Sequence, residues 1–177
     1  MSDLDMASLV LLQQHGLPGT RAKALAALLA SAWHRTAAED AVLCREGEAG
    51  SELWVLLSGS VRVTKKDFLG MPQDLANIPA PAVLGLVALA EKGRRSAGLV
   101  ATQNCEYVTI DKKRYDALMK GTDEESQLFR TLLVAALSRQ LSRGRASLRS
   151  VIREAAGVDA REASLSTGNP GVEPWRQ

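Results

Sequence analysis

From Val42 onward the apolar residues come in short runs, each cut by turn residues. Val42-Leu43-Cys44 leads to Gly47-Glu48-Ala49-Gly50. Leu53-Trp54-Val55-Leu56-Leu57 follows, then Ser58-Gly59-Ser60, then Val61-Arg62-Val63-Thr64 in strict alternation. Further runs of the same kind lie at Leu75 to Ile78, Ala97 to Ala101 and Tyr107 to Ile110. Many short strands joined by glycine-containing turns predict a β sandwich or barrel of the jelly-roll type.

The flanks read differently. The first forty residues read as helix. Leu9, Leu11 and Leu12 form one apolar patch before the Gly16-Leu17-Pro18-Gly19 turn, and Thr20 is placed to cap a second helix carrying Leu25, Leu28, Leu29 and Ala32 at helical spacing. Helix returns near Asp111, where Asp111 or Thr122-Asp123 can cap, and the pattern is clearly helical from Leu128 to Ala155. Leu137, Leu141, Gly144, Leu148, Val151 and Ala155 step four and three apart, the spacing of a coiled-coil seam, with Arg139, Arg143, Arg145, Arg149 and Arg153 on the opposite arc. Gly157 to Gln177 is poor in apolar residues and reads as a disordered tail, with Trp175 an unusual aromatic there. The expected organisation is an N-terminal helical segment over 1–40, a jelly roll over 41–121, a long C-terminal helix over 122–156 and the tail over 157–177. The fold class is α+β: a jelly-roll (double-stranded β-helix) barrel between N-terminal helices and a long C-terminal helix.

Composition narrows the functions. The 177 residues allow one domain of ordinary size plus appendages, and 22 Lys+Arg against 20 Asp+Glu gives a formal charge of only +2. That balance offers no electrostatic reason to expect nucleic-acid binding. Cys44 and Cys105 are too few for a disulfide framework and lack metal-ligand spacing. The two histidines, His15 and His34, leave little for metal binding or acid–base catalysis. No apolar run has the length of a membrane span, and the acidic start Met1-Ser2-Asp3-Leu4-Asp5 does not read as a signal peptide. A cytoplasmic setting is expected.

Two segments resemble the cyclic nucleotide-binding domain of Crp/Fnr-type regulators, kinase regulatory subunits and gated channels. Gly47 to Val63 is similar to that family's glycine-punctuated strand–turn–strand. Leu84 to Ala101 matches its phosphate-binding cassette without a gap. With the flanking helices, the resemblance covers roughly residues 10–155. It implies a short helix opening at Gly85, a cyclic phosphate met by Arg95 with Ser96 and Ala97 beside it, and a base capped from the long helix. The family's glutamate, which accepts from the ribose 2′-hydroxyl, is replaced by Leu86. Its proline is replaced by Arg94, and Leu148 and Arg149 fall near the base-capping position. A buried hydroxyl left without a partner costs about 1–3 kcal/mol.

The expected function is therefore a non-catalytic regulatory or protein-interaction module whose cyclic AMP binding is weak or lost. No cofactor or metal is expected beyond a cyclic nucleotide ligand. Leu86 reads as an added core residue filling the ribose space, and Arg95 as an anion contact or a surface charge paired with a carboxylate such as Glu91. The expected partners are a second copy, through Leu137, Leu141, Gly144, Leu148 and Val151, and an unidentified protein, with neither DNA nor a membrane span. A genuine sensor of a cyclic nucleotide or dinucleotide is the alternative. A DNA-binding Crp-type regulator ranks lower, since the tail from Gly157 carries no helix-turn-helix pattern. A cupin-type enzyme would need histidine ligands on the strands.

Overall fold

The chain's first helix starts on a reciprocal capping box. Asp5 N donates to Ser2 Oγ at 3.2 Å, and Ser2 N donates to Asp5 Oδ2 at 3.0 Å. The protein is seen here as a computed structural model that describes residues 2–90, 93–139 and 141–142. In it α1 spans Asp3–Gln14 and α2 spans Ala22–Ala30. Leu11, Leu12, Leu25, Leu28, Leu29 and Ala32 are buried, as their spacing predicts. Thr20 does not cap α2. It lies within a 3-10 turn, Gly19–Arg21, and the helix begins behind Arg21 with no side-chain cap.

The expected helical segment over 1–40 ends ten residues early, because Trp33–Ala37 forms a strand, β1. It pairs antiparallel with a strand at the far end of the roll, from Trp33 opposite Thr109 to Ala37 opposite Cys105. Trp33 and Thr36 suit a strand, but the ladder that stabilises it comes from residues distant in the chain. The roll therefore begins at Trp33 rather than at residue 41.

The remaining strands fall where the glycine-punctuated pattern predicts, except Ala82–Leu84, which the pattern did not mark. β2 is Val42–Cys44, β3 Glu52–Ser58, β4 Ser60–Lys66, β5 Pro72–Pro79 and β6 Ala82–Leu84; a short helix, α3, covers Leu86–Ala90; β7 is Gly98–Ala101 and β8 Cys105–Asp111. They form two antiparallel four-stranded sheets, ordered β1-β8-β3-β6 and β2-β7-β4-β5. Gly59 makes the β3–β4 turn at φ +82, a backbone that L side chains avoid.

Strand alternation separates two cores. Leu53, Val55, Val83, Val108 and Ile110 point from the first sheet toward the helices and pack with Leu25, Leu29, Phe129 and Leu132. Trp54, Leu56, Leu84 and Cys105 point the other way. They meet Cys44, Val61, Leu99 and Ala101 of the second sheet. At the β4–β5 turn, Asp67 Oδ1 accepts from Leu69 N and Met71 N, both at 2.8 Å. That fixed turn leaves Phe68 95% exposed, with Leu69 and Met71 exposed beside it.

Both capping expectations hold on the C-terminal side. Asp111 Oδ1 accepts from Arg114 N at 2.7 Å to start α4, Lys112–Lys120. Asp123 Oδ1 accepts from Ser126 N at 2.9 Å where the next helix, α5, begins; residues 124–139 are helical. The chain divides into two units, Met1–Leu137 and Ser138–Gln177, and the first contains every strand found among the described residues. Leu137 is half-buried and packs against the helix-side core of its own domain rather than standing free on a seam. In the second unit Leu141 is helical and exposed. Glu91, Gly144, Leu148, Val151, the arginines from Arg143 to Arg153, and the tail with Trp175 lie outside the described residues. Among those described, no helix is long and apolar enough to cross a membrane.

Candidate functional site

The β6–α3 junction turns on Gly85, whose φ of +74 favours glycine. Space demands glycine there too. A Cβ at this position would collide with Arg95 Nη1 and stand 3.2 Å from the Glu52 carbonyl oxygen. The segment returning from α3 is tied to the 47–50 turn. Gly50 N donates to Gly93 O at 3.1 Å, Arg95 N to Glu48 O at 2.7 Å, and Gly47 N to Arg95 O at 2.8 Å. Arg94, where the resemblance expects proline, is exposed and donates from Nη1 to Gly47 O at 2.8 Å. The arginine thus helps close the loop that a proline would stiffen.

Arg95 is turned inward and only 6% exposed. Its Nη2 donates to Glu52 O at 2.8 Å and its Nη1 to Gly85 O at 3.2 Å. Its Cζ lies 3.9 Å from the centroid of the Trp54 ring, a cation–π stack. No carboxylate among the described residues lies within ion-pair distance of it. Arg95 is therefore not a surface charge, and the expected pairing with Glu91 lies outside the described residues. Burial pulls the guanidinium down from its ordinary value, against the opposing influence of Cys44, Glu52 and Glu48. An arginine stays charged under such a shift, so the site holds a buried cation satisfied by neutral carbonyls and an aromatic face.

The other expected site residues divide. Ser96 is exposed and Ala97 half-buried, with Cys44 Sγ donating to Ala97 O at 3.8 Å. Burial pushes the Cys44 thiol up, as expected of an inert core cysteine. Leu86 is 2% exposed and belongs to the helix-side core with Leu53, Val83 and Leu89. It is a core residue, as read from the sequence. Its cluster, though, lies on the opposite face of the first sheet from Trp54, so the side chain is engaged away from the intersheet face.

Two participants were not singled out from the sequence. Trp54 carries Arg95 on its ring, and Glu52 meets Trp54, Arg95 and Arg35. Glu52 Oε2 accepts from Trp54 Nε1 at 3.1 Å, and its Oε1 lies 3.6 Å from Arg35 Nη2. The signal was present: two residues apart on a strand, Glu52 and Trp54 must share a face. A separate groove of about 250 Å³ on the second sheet, lined by Val42, Thr64, Lys65, Lys66, Pro72 and Val100 among others, includes neither Gly85 nor Arg95. No cluster of three His, Cys, Asp or Glu among the described residues could hold a metal ion.

Comparison with known proteins agrees with this fold. The cyclic nucleotide-binding domain profile matches residues 34–122. The Cyclic AMP receptor protein of Thermus thermophilus is 29% identical over 75 residues, 42% of this chain and 35% of that protein. The human cGMP-dependent protein kinase 2 is 32% identical over 99 residues, 55% of this chain and 13% of the kinase. The matched stretch is thus well under two thirds of either relative. Among solved structures, a cyclic nucleotide-binding domain from Methylobacillus flagellatus superposes with a TM-score of 0.71 at 20% identity, covering 85% of this chain and 83% of that one. At that identity the likeness speaks to the fold.

Proposed function

This chain belongs to the cyclic nucleotide-binding domain family, and from that premise we propose that it acts as a non-catalytic regulatory or protein-interaction module that binds a cyclic nucleotide only weakly. The observation that carries the proposal is Arg95. A buried guanidinium beside the Gly85 turn, with no carboxylate partner among the described residues, favours an incoming anion. A guanidinium has more N–H donors than the Glu52 and Gly85 carbonyls use, so it can hold a phosphate without releasing them.

Weakness follows from Leu86. Its side chain accepts no hydrogen bond and is packed into the helix-side core. A charged hydrogen bond contributes about 1.5–3 kcal/mol. Losing one lowers affinity roughly 10- to 150-fold. Calorimetric titration with cyclic AMP is expected to give a near-millimolar dissociation constant. Low-micromolar binding would overturn the proposal of weak binding, and a flat titration would mean the cassette serves only the fold. The free, buried thiols of Cys44 and Cys105 support a cytoplasmic site of action. The module works by contact with a second copy of itself and with a protein partner.

A further inference from the structure

β4 pairs with β7 only from Val61 to Thr64, but with β5 as far as Lys66 opposite Pro72. The β4–β5 hairpin therefore projects past the sheet, and Glu46 braces its base by accepting from Lys66 N at 2.8 Å. At its tip Phe68, Leu69 and Met71 are 95%, 73% and 61% exposed. Exposed apolar residues standing singly are ordinary, but a cluster of large ones on a single turn marks an interaction surface.

The polar groups of this tip are satisfied within the turn. Besides the Leu69 and Met71 amides held by Asp67 Oδ1, Gly70 N donates to Asp67 O at 3.0 Å and Asp67 N to Met71 O at 2.8 Å. Moving such a turn into an apolar layer sacrifices few hydrogen bonds to water. Behind the tip Lys65 and Lys66 are exposed at successive strand positions, which face opposite sides of the hairpin. Neither joins an ion pair among the described residues, whereas Asp74 is paired with Arg62 at 3.4 Å.

We propose that the β4–β5 tip is a docking surface for an anionic lipid bilayer. Phe68, Leu69 and Met71 enter the headgroup boundary, and Lys65 and Lys66 meet the acidic headgroups on either side. A projecting, internally bonded apolar tip fits a fluid lipid surface, which needs no matching cavity. The surface is separate from Arg95, so it stands or falls apart from the cassette's ligand.

Co-sedimentation of the full chain with vesicles tests this, using phosphatidylcholine alone and its equimolar mixture with phosphatidylserine. The wild type is expected to bind the acidic vesicles and to bind the neutral ones more weakly. Phe68→Ser should lower partitioning roughly tenfold or more. Phe68 belongs to neither core, so this variant should melt like the wild type. Lys65→Gln with Lys66→Gln should remove most of the preference for acidic vesicles, about fivefold per lysine. Phe68→Trp should add indole emission that shifts to the blue on acidic vesicles, which surface attraction alone would not produce. A wild type left in the supernatant with both vesicles would overturn the proposal and leave the tip to a protein partner. Equal binding by Phe68→Ser and wild type would overturn it too, and a smaller sedimentation coefficient for the variant would then assign the tip to a second copy.

Discussion

Arg95 lies over the indole of Trp54, with Cζ 3.9 Å from the ring centroid. The contact joins the segment after α3 to the floor of β3. Because Trp54 Nε1 is bonded to Glu52 and Arg95 is bonded to the Glu52 carbonyl, the three residues close a loop of interactions. Arg95 therefore belongs to the architecture as much as to any ligand.

Arg95→Ala is expected to lower stability as well as anion binding. It leaves the Glu52 and Gly85 carbonyls without these donors, and an unsatisfied buried acceptor costs about 1–3 kcal/mol. Arg95→Lys should fall between wild type and alanine, since an ammonium cannot reproduce the fork over two carbonyls. Urea denaturation measures both. An alanine variant as stable as wild type would show that water replaces the guanidinium without cost.

Gly85→Ala should be destabilising for two separable reasons. The positive φ costs an L residue about 1–2 kcal/mol, and the new Cβ collides with Arg95 Nη1. Only the second depends on Arg95. In a double-mutant cycle, Gly85→Ala should cost less in the Arg95→Ala background than alone, with a coupling of about 0.5–3 kcal/mol. Additive effects would mean that the arginine steps aside freely.

Leu86→Glu restores the family's residue type but should not restore its contact. The position faces Leu53, Val83 and Leu89 in the helix-side core. Burying a carboxylate there costs on the order of several kcal/mol and raises its pKa in the folded state. A raised folded pKa means the folded variant holds its proton longer than the unfolded chain. The stability deficit is therefore smallest at low pH and grows as pH rises past the unfolded glutamate value. Melting curves of wild type and variant at acid and neutral pH should show the gap widening upward. A variant as stable as wild type at neutral pH, with tightened cyclic AMP binding, would show that the side chain can turn to the ligand.

Leu141→Glu should shift the protein toward monomer. Leu141 is an exposed apolar side chain in a helical stretch, and a charge on a helical seam opposes close pairing. Sedimentation velocity across a concentration series reads this directly. A wild type that is monomeric at the highest concentration would remove the homodimer from the proposal.

Much of the roll was legible because its information is local. Gly59 marks a turn, and Val61-Arg62-Val63-Thr64 alternates as a half-buried strand must, so β3 and β4 follow from spacing alone. Asp111 and Asp123 announce helix starts by their own side-chain chemistry. The cassette was visible as a motif in which Gly85 and Arg95 keep their order and separation. β1 was missed for the opposite reason. Its residues are acceptable in a helix or a strand, and what decides is the ladder with β8, from Trp33 opposite Thr109 to Ala37 opposite Cys105.

By itself the sequence determined most of the strand pattern, the alternation of β4 and the presence of an arginine after the cassette helix. These depend on period and residue type over a few positions. Only the tertiary structure decided that Leu86 packs in the helix-side core, that Arg95 turns inward over Trp54, and that Glu52 accepts a hydrogen bond from each of those two. A side chain's partners come from elements far apart in the chain. A buried arginine and a solvated one are written with the same letter, and the difference lies in which carbonyls and which ring the fold brings within reach.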